Sequence, residues 1–297
     1  MIVVRLKGGL GNQLFQYAFG YVLAQKNHDS LKMDIEWFDT EGNVPWLVKR
    51  SYELDKFRIP SAEIIQHKDL PFIPRFFSSR IIRRLFALIR IDNIKVGRWL
   101  VVSTTSGFNY MNLPESDNIH LNGYFDNHAA VYLNGYINGL REEFHEKSCS
   151  ESTKALVAQI KKEKSTTSIH VRRTDQMHAT GHFADLEYYK KSISYIKKCE
   201  PETIFYMFSD DIEWCRETFA DYQDIVFATD QTDSDSMRDF LGMKNCKNNI
   251  IAYSTYSWWA AMLNDHKDKI VITPQFYDTV DFLPENWIVM EDDNLEN

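Results

Sequence analysis

The second half of the chain alternates short apolar runs with polar, helix-forming stretches, and this alternation restricts the fold more than any other feature of the sequence. The runs lie at 167–171, 203–208, 224–228, 248–253 and 268–273, and the second reads Thr203-Ile204-Phe205-Tyr206-Met207-Phe208. Runs of this length and composition predict buried strands. Between them, 186–198 and 212–219 carry helical periodicity. Strands that alternate with helices pair in parallel, so the expected unit is a doubly wound α/β sheet. Ligands meet such a sheet at the C-terminal ends of its strands.

One of those ends is chemically loaded. The strand 167–171 closes on His170 and runs into Arg172-Arg173-Thr174-Asp175. Two arginines at a strand end are costly to desolvate unless an anion meets them. The planar donor fork of arginine suits phosphate oxygens. Asp175 could align one guanidinium or serve as a base. The plain alternative is an exposed strand end with two solvated arginines, and the neighbouring motifs weigh against it.

A second motif opens the chain. Residues 2–6 read as a β-branched strand, Lys7-Gly8-Gly9-Leu10-Gly11-Asn12-Gln13 as a turn, and 14–26 as a helix. This half-Rossmann opening lets Gly9 and Gly11 bring backbone N–H groups close to an anion at the helix start. It is nearly a dinucleotide fingerprint, with Asp34 about where a ribose-binding acid stands. However, Leu14 replaces the third glycine, and bulky Asn12 and Gln13 follow the turn, which leaves that reading weak. A third motif is Ser254-Thr255-Tyr256-Ser257-Trp258-Trp259, a hydroxyl-rich turn opening a helix over 258–264. Ser254, Thr255 and Ser257 can donate to a phosphate beside free N–H groups. Trp258 and Trp259 are expected in the core. Ser209-Asp210-Asp211 reads as a helix cap, and Asp233-x-Asp235 is weak evidence for a metal.

At 297 residues with 44% hydrophobic content, the chain has room for two packed domains. Its 34 basic and 42 acidic residues leave a net charge of −8, which speaks against a nucleic-acid-binding surface. Four scattered cysteines signal neither zinc nor a disulfide framework. No run approaches the roughly 20 apolar residues of a membrane span, and the N-terminus is too short for a signal sequence, so a cytoplasmic protein is expected. The segment 74–90 predicts one amphipathic helix with Arg80, Arg83, Arg84 and Arg90 on one side. Its basic face is either solvated or set against an anionic membrane or a diphosphate-lipid-linked acceptor. A strand at 119–125 and a helix over 132–144 follow. The polar stretch 146–166 is the expected crossover between domains 1–150 and 151–297.

Taken together, the glycine turn, His170 to Asp175, Ser209-Asp210-Asp211-Ile212-Glu213-Trp214 and Ser254 to Trp259 resemble the bacterial α-1,2-fucosyltransferases of glycosyltransferase family 11. Gly8 to Ala18 resembles the family's opening almost residue for residue. The resemblance implies a GT-B-like fold of two Rossmann-type doubly wound domains facing across a cleft. Domain 1–150 would be the acceptor side, and 151–297 would bind GDP-L-fucose. It implies inverting transfer, with no metal or other cofactor, to a galactose-terminated oligosaccharide or lipid-linked glycan of a surface polysaccharide such as O-antigen. His170, Arg172 and Arg173 would then meet guanine and diphosphate, and Ser254, Thr255, Tyr256 and Ser257 the phosphates. Asp239 would contact the nucleoside, and Asn12 would lie near the reacting centre. With no metal signature, the negative charge developing on the β-phosphate calls for Arg172 or Arg173, and Asp175 is the candidate base. The sequence departs from the family at Thr174 (usually Gly), Tyr253 (Asn) and Ala260 (Gly). It also departs in the inverted order Gly181-His182, so acceptor choice does not carry over.

Overall fold

The computed structural model describes residues 1–41, 50–89, 92–103, 113–174, 183–230, 232–233, 235–275 and 281–291. The chain divides into two compact units: Met1–Lys147 with Thr279–Pro284, and Ser148–Asp278 with Glu285–Asn297. The second thus gives up a short excursion to the first, which a single cut in the 146–166 crossover does not anticipate.

In the first unit, strands β1 (Ile2–Arg5), β2 (Leu31–Asp34), β3 (Ala62–Ile64), β4 (Asn93–Val96), β5 (Trp99–Val102) and β6 (Asn118–Leu121) form one sheet in the order β3-β2-β1-β6-β5-β4. The pairs are parallel except β4–β5. That hairpin turns at Gly97, whose φ of +58° suits a residue without a side chain. β1 is buried along its whole length, as a central parallel strand must be.

Helix α1 (Leu10–Asn27) starts four residues earlier than its periodicity predicts. Gly9 is its N-cap and Gln13 N–H donates to Gly9 O at 3.1 Å, so Gly11, Asn12 and Gln13 form the first helical turn. After the short α2 (Trp37–Thr40), the expected single helix over 74–90 is two, α3 (Phe72–Ser78) and α4 (Arg80–Ile89). The break is Ser79, extended at ψ 140°. The expected helix 132–144 is also two, α5 (Ala129–Leu133) and α6 (Ile137–Glu143), because Gly135 turns left-handed at φ +84°. Gly139 keeps α6 tight on α1, since a Cβ there would lie 2.5 Å from the Tyr21 hydroxyl.

The second unit begins with α7 (Glu151–Lys162), capped by the Ser150 side chain. It continues through β7 (Thr166–Val171), α8 (Leu186–Cys199), β8 (Ile204–Ser209), α9 (Ile212–Thr218), β9 (Ile225–Phe227), α10 (Ser236–Asn245), β10 (Asn248–Ile250), α11 (Thr255–Leu263), β11 (Val271–Pro274) and β12 (Ile288–Met290). The sheet is parallel throughout, in the order β9-β8-β7-β10-β11-β12. Numbered within the unit this is 3-2-1-4-5-6, the Rossmann order. The five predicted strands are present, and β12 is an addition. Ile169, Phe205, Met207, Ile250 and Ile272 from the strands join Tyr188, Tyr189, Ile193 and Ile196 of α8 in one buried cluster. Each such side chain contributes roughly 1.5–3 kcal/mol. Trp258 and Trp259 are fully buried, as expected. Two such Rossmann-type units in one chain make the α/β, GT-B-like architecture.

Candidate active site

In the second unit's sheet the strand order reverses between β7 and β10. Connections leave those two strands toward opposite faces, which opens a crevice at their C-terminal ends. β7 delivers His170, Arg172 and Arg173 to that edge, and β10 delivers the Ser254 turn and the start of α11. The in-register pair Val171–Ser209 then brings Asp210 and Asp211 alongside the arginines.

Asp210 organises the loop after β7. One of its carboxylate oxygens accepts the Arg173 N–H at 2.9 Å, and the other accepts the Thr174 hydroxyl at 2.7 Å and N–H at 3.3 Å. The same carboxylate stands 3.5 Å from Arg172 Nε. Asp211 caps α9 by accepting the Trp214 N–H at 3.3 Å and lies 3.4 Å from Arg173 Nε. The Arg173 guanidinium rests 3.8 Å from the centre of the Trp214 ring. Both arginines are therefore anchored at Nε by carboxylates, and Arg173 also by stacking. A guanidinium held in this way needs little reorganisation to meet an anion.

His170 is buried, and burial first, then the nearby Arg172 charge, lower its pKa to about 3. Its imidazole is neutral at ordinary pH. Its Nδ1 has no hydrogen-bond partner among the described residues, and its ring centre lies 5.9 Å from that of Tyr256. Ser254 is the N-cap of α11 and accepts the Tyr256 N–H at 3.3 Å. The helix therefore starts three residues before the expected 258, and Thr255 to Ser257 are its first turn, where N–H groups are oriented for an anion. Ser254, Thr255 and Tyr256 are partly exposed. Ser257 is buried; its hydroxyl lies 3.4 Å from both the Ala252 N–H and the Ser254 carbonyl, so it closes the turn from within. Asp239, on α10, accepts the Thr229 hydroxyl at 2.6 Å, and Thr229 accepts the Ser209 N–H at 3.0 Å. Burial raises the Asp239 pKa. Asp233 and Asp235 are engaged with α7: Asp233 takes the Ser152 hydroxyl, and Asp235 takes that of Thr153 at 3.1 Å while capping α10.

In the first unit the glycine turn is held from beneath. Gly8 sits at φ +79°, where a Cβ would meet Asn12 Nδ2 at 2.9 Å. Gln13 is fully buried, donates to Gly8 O at 3.0 Å and Ser51 O at 2.9 Å, and accepts the Glu53 N–H at 2.9 Å. Gln16 grips both backbone groups of Lys7, at 2.8 and 3.2 Å. Asp34, the ribose candidate of the dinucleotide reading, is fully buried instead. It pairs with Arg5 at 3.0 Å and with His67 at 3.3 Å, so it has no ligand role of that kind.

The whole of this arrangement falls within one family match. Residues 1–291 match the model of glycosyl transferase family 11. The chain belongs to that family. It is 32% identical over 300 residues to the O-antigen biosynthesis glycosyltransferase WbnK of Escherichia coli, spanning 91% of this chain and 92% of that protein. It is 29% identical over 313 residues to an α-1,2-colitosyltransferase of Escherichia coli, spanning 98% and 99%. Among solved structures, the fucosyltransferase NodZ from Bradyrhizobium superposes with a TM-score of 0.51 at 14% identity, over 87% of this chain and 91% of that one. This last likeness concerns the fold alone.

Of the residues singled out in the sequence, His170, Arg172, Arg173, Ser254, Thr255 and Tyr256 lie at the ends of β7 and β10, on either side of the switch point. Asp239 joins the same edge through Thr229 and Ser209. Gly9 and Asn12 border the first unit's turn, while Gly11, Gln13 and Ser257 are buried and serve the turns themselves. Asp175 and Gly181-His182 lie outside the described residues. Sequence reasoning gave Asp210 and Asp211 only a capping role, quoted Trp214 only as part of the family resemblance, and passed over Thr229. Neighbouring parallel strands were the available signal, because residues just past two such strands must sit side by side.

Proposed function

We propose that this family 11 glycosyltransferase transfers L-fucose from GDP-β-L-fucose to the 2-hydroxyl of a galactoside in a surface glycan, with inversion and without a required metal. The acceptor is an oligosaccharide or a lipid-linked glycan of the O-antigen type, and the reaction takes place in the cytoplasm. The observation that carries the reading is the pair of carboxylate-anchored guanidiniums at the switch point of a Rossmann sheet, across from the first turn of α11.

The chemistry follows from charge. As the bond between the fucosyl anomeric carbon and its phosphate oxygen breaks, negative charge builds on the departing GDP. Arg172 and Arg173 neutralise it without reorganising, because their carboxylate partners already hold them. The α11 N-terminus binds a phosphate, neutral His170 offers its ring nitrogen to the base or phosphate, and Asp239 contacts the nucleoside. The acceptor hydroxyl forms the new bond from the opposite face, and its proton passes to Asp175, two positions past Arg173. The unit bearing these residues is the donor side, and the unit bearing Asn12 is the acceptor side.

The first experiment measures GDP release from GDP-fucose by the purified protein in EDTA, with and without a panel of β-galactosides, followed by linkage analysis of the product. Acceptor-dependent release with an α-1,2 linkage supports the reading, whereas a strict need for added Mn²⁺ or Mg²⁺ overturns its metal-free mechanism. Tight GDP binding with no turnover would instead indicate a binding protein. Replacing Arg172 or Arg173 with Ala should lower turnover roughly 10²–10³-fold in a folded protein. Near-native rates in both variants would remove them from the phosphate site. A second donor merits testing because a full-length relative is a colitosyltransferase. Colitose is 3-deoxyfucose, and preference for GDP-colitose in direct competition would reassign the donor while keeping the mechanism.

A further inference from the structure

Helices α3 and α4 turn an apolar face to solvent. Five of the ten exposed large hydrophobic residues among those described fall between positions 72 and 88: Phe72, Phe76, Ile81, Leu85 and Leu88. Ile81 and Leu88 are each 80% exposed and Phe72 is 65% exposed. These are not side chains left over from packing, because other residues on the same helices already do that work. Phe86 is buried against Phe77, their rings 5.2 Å apart, and Ile73 packs beneath Val3, Leu70 and Trp99. Arg83 fixes α4 from the inner side, donating to Ser78 O at 3.1 Å and to Glu41 at 2.5 Å. On α4 the outward residues Ile81, Leu85 and Leu88 recur at helical spacing, and on α3 the Phe72 and Phe76 rings stack at 5.8 Å.

The charge around this face has one sign. From Pro71 to Ile91 the sequence carries five arginines and no acidic residue, in a chain whose net charge is −8. Arg75, Arg80 and Arg84 are exposed beside the apolar stripe. Glu41, the acid that reaches toward Arg80 at 3.8 Å, is shared with Arg83 and Arg5. An exposed apolar stripe edged by arginines is the pattern of a helix that lies in a bilayer interface. Its apolar side sinks among the acyl chains while guanidiniums meet anionic headgroups. We propose that the outward face of α3 and α4 docks the protein on an anionic lipid bilayer.

The test uses the full chain and sedimentation with vesicles of phosphatidylcholine, with or without about one third phosphatidylglycerol, at low and high salt. Binding to the anionic vesicles, lost at high salt, is expected. Arg80→Gln with Arg84→Gln should weaken it by about fivefold per arginine. Leu85→Ser with Leu88→Ser should weaken it by roughly tenfold per leucine. Both double variants should unfold at the wild-type temperature and release GDP from soluble substrates at the wild-type rate. Equal binding to neutral and anionic vesicles, or wild-type binding by either variant, would overturn the proposal. So would a dimer in solution that Leu85→Ser with Leu88→Ser dissociates, because a second copy would then be what covers this face.

Discussion

Asp210 is the most exposed point of this account, because a residue that touches no substrate is asked to hold both arginines. Asp210→Ala removes the acceptor of the Arg173 N–H, the Thr174 N–H and the Thr174 hydroxyl, together with the partner of Arg172 Nε. The carboxylate is only 21% exposed, so water replaces these bonds incompletely. At roughly 1 kcal/mol net per bond, the loss is about 2–3 kcal/mol. In a unit of this size that corresponds to a fall in Tm of about 5–10 °C. The larger effect falls on catalysis: with the 172–174 loop free to shift by an ångström, kcat/KM should drop about 10²-fold. Asp211→Ala is the control. It loses a cap and one contact to Arg173, about 1 kcal/mol, but leaves the loop's backbone bonds in place. Differential scanning fluorimetry and the GDP-release assay with a saturating β-galactoside measure the two effects separately. If Asp210→Ala lowers Tm but keeps kcat/KM within a factor of about three, the arginines do not depend on it and the preorganisation argument fails.

Other consequences can be checked alongside. Gln13→Ala should destabilise the first unit by roughly 3–5 kcal/mol, since two carbonyls and one N–H lose their partner in a fully buried site. A wild-type denaturant midpoint would contradict it. Burial holds His170 neutral down to about pH 3 and His120 down to about pH 4, whereas in the unfolded chain each takes its proton near 6.5. Stability is therefore full above about pH 6.5 and falls below it, by up to about 1.4 kcal/mol per pH unit for each histidine. Thermal unfolding between pH 7 and 5 should show this, and His120→Gln should flatten the slope; an unchanged slope removes His120 from the account. Gly242→Ala would put a Cβ 2.6 Å from the Phe208 ring and 3.2 Å from Leu156, costing about 1–3 kcal/mol through overpacking between α10, β8 and α7. Calorimetry showing no loss would mean that the helix simply moves out.

The architecture of the second unit was legible because parallel strands buried on both faces are near-continuous apolar runs. β7 and β8 stand within a residue of the expected 167–171 and 203–208. β12 was not legible, being three residues long and only partly buried. Helix starts were misjudged at Leu10 and Thr255 for one reason: residues in a first turn need not carry the apolar period, so periodicity alone finds α1 and α11 late. The arginine and hydroxyl motifs could be read as anion-seeking from residue type. Their carboxylate anchors could not, because Asp210 acts through strand register rather than sequence proximity. Likewise the first unit's ion network of Arg5, Asp34, His67 and Glu41 joins positions more than 60 residues apart in the chain and leaves no local pattern.

The excursion at Thr279–Pro284 bears on how this protein can be taken apart. Phe282 lies 5.9 Å from Phe15, and the Ala130 N–H donates to Asp281 O at 3.0 Å, so the first unit's core is finished by residues that follow the whole 148–278 segment in the chain. A ribosome that has released only 1–147 has made a unit with an open seam on α1. Gene fragments cut at residue 147 should yield an N-terminal piece that exposes Phe15 and a C-terminal piece carrying an apolar loop with nowhere to bury it. For the same reason, a chimaera that exchanges one Rossmann unit for another must keep Phe282 matched to the α1 it was made for.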